Sequence, residues 1–84
     1  MTEPAPLQGT PNPAAPGVIV VYHDGTDADA VTAELAATHG FTPRHVFRSA
    51  LLGFAAELSA DALAAVRRHP AVKYVEHDGV VRMM

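Results

Sequence analysis

Apolar residues along the chain fall into two periods. Val18-Ile19-Val20-Val21-Tyr22 is an unbroken, mostly β-branched run, the pattern of a buried central strand. His23-Asp24-Gly25 closes it as a turn. Helical spacing then takes over, through Ala30, Val31, Ala33, Leu35 and Ala36 to about His39. Thr26 followed by Asp29 forms a weak capping box, and Asp27 and Asp29 suit the positive end of a helix dipole. Gly40 supplies a left-handed stop, with Phe41 as the apolar contact behind it.

Alternation returns from Pro43 to Ser49 around Val46 and Phe47, where a proline and two arginines suit an edge strand. Gly53 to Leu58 is the next strand, with Phe54, Ala56 and Leu58 on one face. Ser59 caps a second helix that carries Asp61 in its first turn and Leu63 and Val66 on its buried stripe. Arg67, Arg68 and His69 favour its negative end, and Pro70 stops it. Val72 to His77 is the last strand.

This β-α-β-β-α-β order predicts an α+β domain of ferredoxin-like arrangement, a four-stranded antiparallel sheet with two helices on one face. One face of the sheet then stays uncovered. Val18, Val20 and Tyr22 point one way along the first strand and Ile19 and Val21 the other, and both sets are apolar. The uncovered set predicts a docking surface.

Composition narrows the function. Residues 1–16, with Pro4, Pro6, Pro11, Pro13 and Pro16, read as a disordered Pro/Ala-rich leader that cannot build a core. This segment lacks the basic start and apolar run of an export signal, and no stretch has the length of a membrane span. The folded part is then residues 17–78, followed by an extended tail, 79–84. A domain so small buries only about 60% of its chain surface. With no cysteine it has no disulfide or thiolate site to help, so a partner is expected to stabilise it.

The net charge of -3 argues against nucleic acid. RNA binding through the sheet would use exposed aromatics such as Tyr22 or Phe54, but no basic patch accompanies them. There is no Gly-x-Ser-x-Gly elbow and no glycine-rich phosphate loop, and Ser59 is used as a cap, so the chain is not expected to be an enzyme. His23, His39, His45, His69 and His77 contain no His-x-x-x-His pair, so neither a metal nor a cofactor is expected.

Three segments carry a resemblance: Tyr22-His23-Asp24 at the end of the first strand, Gly53-Phe54-Ala55-Ala56-Glu57-Leu58-Ser59, and Pro70-Ala71-Val72-Lys73-Tyr74-Val75-Glu76-His77-Asp78. In this order and spacing they resemble the subtilase propeptide family, also called the peptidase inhibitor I9 family. The resemblance implies an inhibitor of subtilisin-like serine proteases that docks by its open sheet face. It implies that Glu76 and Asp78 approach the N-termini of two protease helices, where unpaired N–H groups welcome carboxylates.

It also implies that the tail Val80, Val81, Arg82, Met83 and Met84 pairs as an added strand in the active-site cleft. Met84 would fill the first specificity pocket, Met83 the next subsite and Val81 the apolar fourth, with Arg82 towards solvent. The resemblance implies that such a tail would be product-like, with no bond after Met84 left to be cut. Two forms stay open: a free-standing inhibitor, cytoplasmic for want of an export signal, or a propeptide excised from a secreted precursor that also assists protease folding. A small regulatory domain that self-associates through its open face is a third reading, although the free chain is expected to be a monomer.

Overall fold

The computed structural model of the chain describes residues 5–9, 17–49 and 51–77. The elements are β1 (Leu7–Gln8), β2 (Gly17–Tyr22), α1 (Ala28–His39), β3 (His45–Arg48), β4 (Leu52–Glu57), α2 (Ala60–Arg67) and β5 (Val72–His77). They form an α+β fold whose single sheet has the order β1-β5-β2-β4-β3. The expected four strands are present and antiparallel to their neighbours, with β2 between β4 and β5 and β3 at the edge.

The four-stranded, wholly antiparallel sheet is corrected in one respect. A fifth strand, β1, pairs parallel to β5 with Leu7 opposite Val75 and Gln8 opposite Glu76. It comes from the segment read above as a disordered leader. Pro6 does not prevent this, because an edge strand needs few donors and a proline still offers its carbonyl. The Pro6 carbonyl accepts from the Val75 N–H at 2.9 Å.

Both helices pack on the same side of the sheet. Val18, Val20 and Tyr22 of β2, Phe54 and Ala56 of β4 and Val72 and Val75 of β5 meet Ala28 and Leu35 of α1 and Val66 of α2 in one core. Phe41, behind Gly40, stacks on Phe54 of β4 with ring centroids 5.3 Å apart. Gly40 itself takes the left-handed conformation at φ 73°.

The cap of α1 lies one residue later than the sequence suggests. Thr26 gives its N–H to the His23 carbonyl and belongs to the turn. Asp27 therefore becomes the cap, accepting from the Ala30 N–H at 3.1 Å. Ser59 caps α2 as expected, accepting from the Ala62 N–H.

Thr32 is the one polar residue among the buried positions of α1. Its hydroxyl shares a 2.8 Å hydrogen bond with the Tyr22 hydroxyl, so neither group is left unpaired in the core. Burial pushes the Tyr22 phenol up to about 12, against a smaller opposing effect of the Thr32 bond.

A group whose folded pKa exceeds its unfolded value stabilises fully below the unfolded value and loses that contribution above it. Tyr22 thus contributes below about pH 10, and its contribution falls away as pH rises through about 12. Tyr22→Phe is expected to cost about 1–2 kcal/mol at neutral pH, by orphaning the Thr32 hydroxyl. It should also flatten the loss of stability between about pH 10 and 12. Urea unfolding of both proteins across that range checks both effects.

Candidate functional site

The face of the sheet turned away from the helices can be read from the strand registers. Gln8, Glu76, Ile19, Ala55 and His45 stand opposite one another across five strands. A second row runs Tyr74, Val21, Gly53 and Phe47. The centre is therefore aliphatic, with Ile19, Val21 and Ala55, and aromatic rings flank it. On the edge strand His45 and Phe47 lie against each other with centroids 4.7 Å apart. On the other side stands the half-buried Tyr74.

Glu76 is exposed and lies directly across from Ile19. Its neighbour Val75 is fully buried opposite Val20. A bulge in the β2–β5 pair lies between Val21 and Tyr22, where the partners jump from Tyr74 to Val72. The bulge decides which residues of β5 face outward, and it turns Tyr74 and Glu76 to the open face.

Gly53 is needed where the second row crosses the centre of the sheet. A Cβ there would stand 1.9 Å from the Val20 carbonyl oxygen, inside any allowed contact. The absent side chain lets β2 and β4 close beside the bulge.

Charges border the apolar centre. Glu57 ends β4 and pairs with Arg44. On the helix side Arg48 holds Asp29 with a fork of contacts at 2.8 and 2.9 Å from its Nε. Direct hydrogen bonding from Arg48 keeps the Asp29 carboxyl below its ordinary range. The pair is exposed, so it steers the edge strand more than it stabilises the fold.

A shallow hollow of about 350 Å³ lies at the ends of the helices, lined by His39, Phe41, Thr42, Arg44, Glu57 and Ser59 among others. The Arg44–Glu57 pair neutralises its rim. Among the described residues no His, Asp or Glu side chains gather in a group of three or more to hold a metal, and no helix is long and apolar enough to cross a membrane.

Of the residues singled out from the sequence, the structure places Glu76. Asp78 and the tail Val80, Val81, Arg82, Met83 and Met84 lie outside the described residues. Sequence reasoning passed over His45, Phe47, Gly53 and Tyr74. The alternation around Val46 and the two-residue spacing from Tyr74 to Glu76 were the available signals.

Residues 18–84 match the model of the peptidase inhibitor I9 family, which takes in this whole sheet except β1 and the start of β2. The chain belongs to the peptidase inhibitor I9 family. A relative of this I9 domain is the subtilisin-like serine protease AsES of Sarocladium strictum, 34% identical over 65 residues. That alignment takes in 77% of the I9 chain but spans only 16% of the relative's length.

In this I9 domain Gly53→Ala is expected to cost about 1–3 kcal/mol, because the new methyl must push β2 from β4. Thermal unfolding measures it. An unchanged melting temperature would show that the strands have room to part.

Proposed function

We propose that this I9 domain inhibits subtilisin-like serine proteases by setting its open sheet face on the protease surface. The observation that carries the reading is the apolar centre formed by the half-buried Ile19 and Ala55 and the buried Val21 beside them, on the face turned away from the helices, with exposed Glu76 next to it. A contiguous apolar patch rimmed by polar residues suits a protein partner. Family membership supports the choice of partner.

In this reading Glu76 and Asp78 meet the N-termini of two surface helices of the protease. Carboxylates there satisfy unpaired N–H groups and the dipole. Val80 to Met84 extend from β5 as an added strand in the catalytic cleft, with Met84 in the first pocket and Val81 in the fourth. The peptide alone would bind weakly. Docking of the folded domain makes its entry intramolecular and raises its local concentration. The sheet thus supplies affinity and the tail supplies the block.

Titrating subtilisin with the 84-residue polypeptide tests the proposal. Activity should fall with increasing inhibitor, and full activity in large excess would sink it. Deleting Val81–Met84 should raise the inhibition constant about 100-fold or more while leaving the circular dichroism spectrum unchanged. An unchanged constant would remove the tail from the mechanism. Replacing both Glu76 and Asp78 by Ala should weaken inhibition on the order of 5- to 150-fold. The loss should shrink as salt is raised, since screening already weakens the native contacts.

A further inference from the structure

The N-terminal residues 5–8 tie together elements that lie far from them in sequence. The Ala5 N–H donates to the Arg67 carbonyl at 2.7 Å, and the Arg67 Nε returns a bond of 2.8 Å to the Ala5 carbonyl. One residue on, the Pro6 carbonyl takes the outward N–H of Val75. Ala5 is buried in the main core and Leu7 packs against it. Gly9 ends the arm at φ 83°, with space for a Cβ 3.5 Å from His77. All of this lies before residue 18, where the match to the I9 family begins.

The arm does two physical jobs. It satisfies a carbonyl at the end of α2, which would otherwise need water. It also covers the outer edge of β5, the strand that leads to Asp78 and the tail. With the arm away, β5 becomes an edge strand with the Val75 N–H exposed, beside an enzyme that binds extended chains by backbone pairing. An arm with only a two-residue strand opens more easily than the sheet it guards. Proteases cut chains in such locally opened states.

We propose that residues 5–8 are a clasp whose hold on β5 sets how long the inhibitor survives the protease it blocks. The lifetime clause rests on the inhibitor reading above, whereas the hold on β5 does not.

The test compares the full chain with one that begins at residue 10 and with full-length Ala5→Asp, which puts a charge where the arm enters the core. Hydrogen exchange at the Val75 amide, the melting temperature, the initial inhibition constant and the duration of inhibition by subtilisin are measured for each. Both variants should exchange Val75 at least tenfold faster and melt about 8 °C lower or more. The initial inhibition constant of Ala5→Asp, which leaves the open face untouched, should stay within about threefold of the full chain, while in both variants inhibition ends about tenfold sooner. A peptide of residues 1–9 added to the shortened chain should restore part of the Val75 protection.

Unchanged Val75 exchange and melting temperature in both variants would overturn the clasp. Faster exchange with an unchanged duration of inhibition would overturn its link to survival. A full chain that leaves subtilisin fully active would sink the inhibitor reading and the survival clause with it, and the exchange and melting data would still decide whether the arm holds β5.

Discussion

A sheet with helices on one side must leave its other side to water or to a partner. The helix side of this molecule takes Val18, Val20, Tyr22, Phe54, Ala56 and Val75, and it closes them under Leu35 and Val66. On the other side Ile19 and Ala55 stay half-buried, and Val21 beside them is buried outside that core. A domain built only to be stable would place polar residues at those positions, since alternation in an antiparallel strand costs nothing. Their apolar character is the constraint from which the rest follows: the flanking aromatics, the closeness of β2 and β4 at Gly53, and the outward turn of Glu76 after the bulge.

Most of the architecture was legible because local signals agreed with each other. Ser59 before a periodic run and Gly40 before Phe41 each have one physical reading, and each appears in the fold, as does the strand from Val72 to His77. The cap of α1 was misplaced by one residue because Thr26 and Asp27 are both good caps. The choice between them was made by the turn, which claims the Thr26 N–H. The strand β1 was missed for a different reason. Two residues next to a proline carry no periodicity, and what orders them is distant: the Val75 N–H and the end of α2. Long-range partners leave no mark in a local pattern.

The candidate site was legible in outline and not in detail. The run from Val18 to Tyr22 announces two apolar faces, and only the packing of the helices tells which one is covered. The face taken by each residue of β5 depends on a bulge, which sequence alternation cannot show. The contribution of Tyr74 and Phe47 to the open face follows from register alone. The small size of the core also explains why a polar pair is tolerated within it. Tyr22 and Thr32 join sheet to helix by a directional bond, where a larger domain could rely on further aliphatic contacts.

The register of β5 has a geometric meaning beyond the sheet. Val72 and Val75 are pinned in the interior, so the distance from that anchor to the last residues of β5, Glu76 and His77, is fixed by the rise of an extended chain, about 3.3 Å per step. The strand behaves as a measuring rod with its zero mark inside the molecule. Gain or loss of a single residue between Val75 and His77 would displace each following group of the strand by one step and rotate it to the opposite side. Such a change would leave the interior intact while moving the outward groups of the strand off their marks.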